Sequence, residues 1–189
     1  MVDDRVYTTL LTFVTWDCVA DMKKLFELSK ILVVHLEEGS IEGILCDCIL
    51  DLNTLEVMGW SFKKEGFFSE DAFVWAQDIR IGKEVAFIRN ISEKPAEFDQ
   101  WHCWGKKIRK NPIIDRTGKD FGHVRDILLR EDCALVEGIE LENRQFIECS
   151  DDVSIRNTVV VISPTITIHE EISSDDESSW WGRLLGKDS

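Results

Sequence analysis

Short apolar runs punctuated by glycine or by acidic turns fill most of this chain, and only one stretch keeps helical spacing. Val6–Trp16 is rich in β-branched and aromatic residues, which predicts a strand. Val19, Met22, Leu25, Phe26 and Leu28 then recur at helical spacing behind a capping Asp17, so a short helix is expected over 17–28, packed as a lid on the first domain or exposed as a docking element. Ile31–Leu36 reads as a strand. Glu37-Glu38-Gly39 supplies a tight hairpin, and Ile41–Leu50 is the returning strand. Gly43 inside that strand predicts a bulge or a close backbone approach. Leu55–Phe62, interrupted at Gly59, is a third strand, and Phe73–Trp75 and Glu84–Arg89 are two more.

The same pattern is then written again. Gly39, Gly43, Asp47, Val57 and Gly59 recur as Gly118, Gly122, Asp126, Val136 and Gly138, every pair 79 residues apart (118 − 39 for the first). A shared ungapped offset among so many turn and strand markers predicts a tandem duplication. The second copy has strands at Pro112–Ile114, Phe121–Leu129, Ala134–Leu141 and Thr158–Ile162, ended by Pro164. Phe146-Ile147 matches Phe73-Val74 at an offset of 73, so the first copy carries six more residues in the intervening hairpin, where Phe67 and Phe68 sit. Many short strands separated by glycine turns predict a mainly β fold of two small barrels. The expected division is 1–24, a strand and short helix; 25–91, the first barrel; 92–105, a linker; 106–164, the second barrel; and 165–189, a tail.

Composition narrows the function. At 44% hydrophobic the chain has material for a packed core, so global disorder is excluded. A net charge of −14 disfavours nucleic acid and anionic membrane surfaces, and Lys106, Lys107, Arg109 and Lys110 form the one candidate basic patch. Six cysteines without a short-loop framework, and no apparent leader segment, point to free thiols in a reducing cytoplasm.

The connector and the tail stand apart from the repeats. Phe98, Trp101 and Trp104 in the connector are expected to pack the two copies together, with a ligand groove as the alternative. Glu170–Ser179 is too acidic and too poor in apolar residues to fold, and it leads to Trp180-Trp181-Gly182-Arg183-Leu184-Leu185. An acidic spacer carrying a compact apolar cassette reads as a recruiting motif, with Trp180, Trp181, Arg183, Leu184 and Leu185 as contact residues for a protein partner, or else as a segment that folds back onto its own barrels. Phe67 and Phe68 are a second candidate contact, or else a cap on the barrel end.

The doubled Gly-x-x-x-Gly-x-x-x-Asp, each copy preceded by a short lead (Leu25–Lys30; Lys106–Ile108) and followed by a glycine-bearing third strand, resembles the PRC-barrel family. That family includes domains similar to the cytoplasmic domain of the photosynthetic reaction-centre H subunit and to the C-terminal domain of the ribosome-maturation factor RimM. The resemblance covers about 25–89 and 106–162. It implies a small, strongly bent barrel that binds protein partners within larger assemblies, and it supplies no catalytic residue. The expectation is therefore an adaptor or assembly module with one or more protein partners. A ribosome-maturation-like factor and a peripheral membrane scaffold attached through Trp180–Leu185 are the alternatives.

Little in the sequence argues for chemistry. Cys46-Asp-Cys48 places two thiols on one strand face without the second pair that zinc needs. His102-Cys103 lacks a third orienting group. Asp47 and Asp126 are expected to accept hydrogen bonds from backbone donors of their adjacent turns. No catalytic residue, metal ligand or cofactor site is expected.

Overall fold

The computed structural model describes residues 22–64, 71–95 and 99–170, and it is mainly β. In chain order the elements are β1 (Lys23–Lys24), α1 (Leu25–Leu28), β2 (Leu32–His35), β3 (Ile41–Asp51), β4 (Val57–Lys64), β5 (Asp71–Trp75), β6 (Ile79–Ile81) and β7 (Val85–Ile88). They continue as β8 (His102–Trp104), α2 (Gly105–Ile108), β9 (Pro112–Asp115), β10 (Asp120–Leu129), β11 (Val136–Leu141), β12 (Phe146–Glu148), β13 (Val153–Ile155) and β14 (Val160–Ile162).

These strands build two sheets of one topology. The first runs β5-β4-β3-β2-β7-β6 and the second β12-β11-β10-β9-β14-β13. All pairings along both are antiparallel except β2 with β7 and β9 with β14, which are parallel. Each sheet is curled. The long strands β3 and β10 carry register shifts, which bend a strand and let it serve different neighbours along its length. The chain after each last strand returns to the opposite edge: Ser92 N–H donates to Phe73 O (2.8 Å), and His169 N–H to Phe146 O (2.9 Å). Alternation along the strands turns Val33, Leu45, Phe62, Phe73 and Ala86 inward in the first copy, and Ile113, Ile127, Ile139, Ile147 and Val160 in the second. One continuous cluster of buried side chains joins the two interiors.

The join is an exchange. β1 pairs with β10 of the second sheet (Lys23↔Leu129, Lys24↔Leu128), whereas β8 pairs with β3 of the first (Ile49↔Trp104, Leu50↔Cys103). Each copy's leader therefore docks on the other copy. A helix was expected over 17–28 as a lid on its own copy. The helix begins only at Leu25 and lies against β10; residues 17–21 fall outside those described. Only Leu25 and Leu28 in it are buried, and four residues cannot hold a helix without such docking.

The two halves are related by a pseudo-two-fold axis. Glu56 and Leu135, equivalent under the 79-residue repeat, form an antiparallel bridge with each other. Val57 N–H donates to Ala134 O (2.9 Å) and Val136 N–H to Leu55 O (2.8 Å), and each bond is the image of the other. Reciprocal contacts between equivalent residues are the signature of an isologous interface, here within a single chain.

Two local expectations change. β4 runs unbroken through Gly59, because that glycine serves a close approach: a Cβ there would lie 2.4 Å from the Phe73 ring and 2.7 Å from Val74 O. β6 and β13 were not anticipated, since three residues are too few to show a period.

Candidate interaction surfaces

Asp47 and Asp126 hold the exchanged leaders. Asp47 Oδ1 accepts from Cys48 N–H (2.9 Å) and from Lys106 N–H in α2 (3.0 Å). Asp126 Oδ1 accepts from Ile127 N–H (2.9 Å), and its Oδ2 accepts from Phe26 N–H in α1 (3.1 Å). The donors are thus the following residue and the other copy's helix, not the adjacent turn. Each carboxylate meets N–H groups that a helix cannot satisfy internally. At the centre, a Cβ on Gly105 would lie 2.5 Å from Leu25 Cδ2, 3.1 Å from Cys48 Sγ and 3.2 Å from Asp47 Oδ1, so the two leaders touch through the smallest possible side chain.

The two carboxylates sit in different surroundings. Burial pushes the Asp47 carboxyl up to about 6, against the pull of the Lys106 and Cys48 N–H groups. Burial also raises Asp126, opposed by the Ile127 and Phe26 N–H groups and by the Arg109 guanidinium, whose Nε lies 3.9 Å from Oδ1. Around Asp126 the second copy adds Glu140, buried and paired with Lys24 (3.0 Å) and Arg125 (3.6 Å). The first copy has Ser61 and Cys46 where Glu140 and Arg125 stand, so Asp47 lacks that network.

The repeated glycines keep their positions but not all their reasons. Gly39 (φ +66°) and Gly118 (φ +87°) both turn the hairpin between the first and second strands of their copies, in a region that side-chain-bearing residues avoid. At Gly43 a Cβ would lie 2.0 Å from Lys63 O, whereas at Gly122 nothing lies within 4 Å. Gly138, like Gly59, marks a close approach, to Ile147 O (3.0 Å).

The outer face of the first sheet differs from its counterpart. Every exposed large hydrophobic side chain among the described residues precedes residue 92: Phe26, Leu32, Leu36, Ile41, Ile44, Phe87 and Ile91. Register gathers most of them. Leu32 pairs with Ile44 and Val85, and Val34 with Ile41 and Phe87, all on the side opposite buried Val33. Lys63 beside Ile44 and Arg80 beside Phe87 bracket this apolar field. In the second copy Ile41 and Ile44 are replaced by Asp120 and His123, and the strand across from Ile114 presents Val161 in place of Phe87. The same backbone thus carries Asp120 and His123 among Pro112, Ile114 and Val161 in one copy, and an unbroken apolar field in the other.

A smaller polar cleft of about 350 Å³ opens at the connector, lined by Asp99, His102, Cys103, Trp104, Lys107 and Asn157. His102 Nδ1 lies 2.7 Å from Asp99 Oδ1, and the Arg156 guanidinium stands 5.1 Å above the Trp101 ring. The Cys103 thiol is pushed up by burial and donates to Trp104 O (3.4 Å), the reverse of what a nucleophile needs. Cys46 and Cys48 do not share a face as expected. A register shift falls between Leu45 and Asp47, Cys48 is fully buried, and Cys46 is half-buried with its thiol on Ile44 O. Among the described residues no cluster of His, Cys, Asp or Glu is placed to hold a metal ion.

Of the contact residues expected from sequence, Phe67, Phe68, Trp180, Trp181, Arg183, Leu184 and Leu185 lie outside the described residues, as does the connector's Phe98. The apolar outer face was missed, although its signal was available in the mismatch of Ile41 and Ile44 with Asp120 and His123 across the repeat. Among the described residues no helix is long and apolar enough to cross a membrane. The chain matches no family model and no curated protein.

Proposed function

We propose that this chain is a non-enzymatic protein-binding module, in which two PRC-like barrels form one body and the outer face of the first is the recognition surface. The tail motif Trp180–Leu185 is a second recruiting element, tied to that body by the acidic spacer. The observation that carries the reading is the asymmetry of the two outer faces. A fold that tolerates Asp120 and His123 at these positions does not need isoleucine at 41 and 44 for stability, so the exposed apolar side chains serve another purpose. The exchanged leaders support a platform role, because a body held by reciprocal contacts presents its surfaces in fixed relation. The five described cysteines are free thiols, which suits a reducing cytoplasm.

The test is a quantitative comparison of proteins retained from native lysate by three forms: the full chain, an Ile41→Asp/Ile44→His variant, and a chain ending at Ile172. Partners lost from the double variant are expected, with those lost on truncation assigned to the tail. A set of partners unchanged in both comparisons overturns the reading.

A further inference from the structure

The exchanged leaders build a surface that neither copy has alone. We infer that the exposed ring of Phe26, with Lys30, Lys106 and Arg109 around it, is a docking site for a short acidic segment of a protein partner, which sets carboxylates on the cations and an apolar side chain on the ring. The site uses none of Leu32, Ile41, Ile44 and Phe87, so it adds a second surface, of different chemistry, to the face proposed above.

The exchange places these residues together. Leu25 and Gly105 meet at the seam, where a Cβ on Gly105 would lie 2.5 Å from Leu25 Cδ2. Phe26 and Lys106 are the next residues along. Their N–H groups are held by Asp126 (3.1 Å) and Asp47 (3.0 Å), and their side chains are exposed, Phe26 by 46%. Lys30 Nζ stands 4.2 Å from the centroid of the Phe26 ring, and Arg109 Cζ stands 5.2 Å from it. Lys30 follows α1 and Arg109 follows α2, so the two cations share one ring only because α1 lies on the second sheet.

Arg109 is set in advance. Its Nε donates to Arg125 O (2.9 Å) and lies 3.9 Å from Asp126 Oδ1. Those contacts fix the guanidinium plane, while its terminal N–H groups have no acceptor among the described residues. A guanidinium held at Nε presents its two terminal nitrogens to a carboxylate as a preformed fork. The ring is not there for docking of the leader. Lys106 takes the equivalent position in α2 and makes the equivalent backbone bond, so a leader docks with lysine as well as with phenylalanine.

Charge selects the occupant. Seven cations and one acid, Glu27, stand on the two leaders, 23–30 and 105–110. The buried acids they meet, Asp47, Asp126 and Glu140, still leave an excess of positive charge, in a chain that totals −14. Lys30 and Lys106 are exposed and in no ion pair among the described residues, and Glu27 pairs with neither. A short acidic segment is attracted to this local excess. A nucleic acid or an anionic membrane extends past it onto the acidic remainder of the molecule and is repelled.

The test is amide and arginine Nε NMR of the full chain at low salt, titrated with a short peptide of glutamates and aspartates around one leucine. Two full-length variants are compared, Lys30→Glu and Phe26→Lys. The second puts at position 26 the residue type that the other leader carries at its equivalent position, so the fold accommodates it. Shifts are expected at 24–30, at 106–110 and at Arg109 Nε. Lys30→Glu is expected to weaken binding about tenfold, and Phe26→Lys to weaken it about threefold although it adds a positive charge. Binding that strengthens in Phe26→Lys overturns the inference, because it reduces the surface to unspecific charge attraction. Absence of binding, or shifts confined to other faces, also overturns it. So does tighter binding of an oligothymidylate of equal charge at the same residues, which assigns the surface to nucleic acid. Neither variant alters Ile41 or Ile44, so the lysate comparison tests the binding-surface reading separately.

Discussion

Replacing Asp47 by asparagine separates two opposing effects at the exchanged joint. The side-chain oxygen keeps its two backbone donors, Cys48 N–H and Lys106 N–H, while the buried charge is removed. The Asp47 carboxyl titrates near 6 in the folded protein, against 3.8 for an unperturbed aspartate. Between those values the folded chain binds more protons at this site than the unfolded chain does. Stability from the site is therefore greatest below 3.8 and is lost as pH rises through 6. Two pK units at about 1.4 kcal/mol each give a total near 3 kcal/mol. Other carboxylates titrate in the same range, some with the opposite sign; the Asp132 carboxyl, for example, is held low by Arg130. The informative quantity is thus the difference between the two proteins. Urea unfolding at a series of pH values is expected to show wild type losing about 3 kcal/mol relative to Asp47→Asn as pH rises across the window. Asp47→Ala at neutral pH loses the acceptor as well as the charge; two stranded donors cost about 2–4 kcal/mol, offset in part by relief of the buried charge. A pH-independent difference between wild type and Asp47→Asn, or one of opposite sign, would refute the claim that burial outweighs the hydrogen bonds here.

Three further outcomes follow from the same geometry. Gly43→Ala drives a Cβ against Lys63 O and is expected to cost about 3 kcal/mol or more, while Gly122→Ala meets open space and costs about 1 kcal/mol from its positive φ alone; equal losses in thermal unfolding would contradict the close approach. Gly105→Ala, which crowds Leu25 and Asp47 at the seam, is expected to cost about 1–3 kcal/mol despite the helix propensity of alanine, and a stabilised variant would show that the leaders do not touch. Lys24→Met strips buried Glu140 of its closer cation and is expected to lower stability by about 2 kcal/mol near neutral pH, with most of the loss recovered in a Lys24→Met/Glu140→Gln double variant.

The sequence by itself carried the duplication and most of the strands. A fixed offset of glycines, aspartates and valines is visible without coordinates, because turns and close backbone approaches restrict residue choice at single positions. β2, β3, β9 and β10 fell within a residue or two of expectation, since one apolar face leaves a period in the chain. The destination of each leader did not show. Leu25–Leu28 and Gly105–Ile108 bury the same residue types whichever copy receives them, and only the meeting of Phe26 N–H with Asp126 and Lys106 N–H with Asp47 decides between the two. The candidate surface was legible in part. The substitution of Ile41 and Ile44 by Asp120 and His123 stands in the sequence, but that these positions face outward rests on register, and the register is set by bulges that periodicity does not predict. Local chemistry thus wrote the copies into the chain; hydrogen bonds between residues 59 and 100 apart made them one body, and strand register within the first sheet turned its apolar face to solvent.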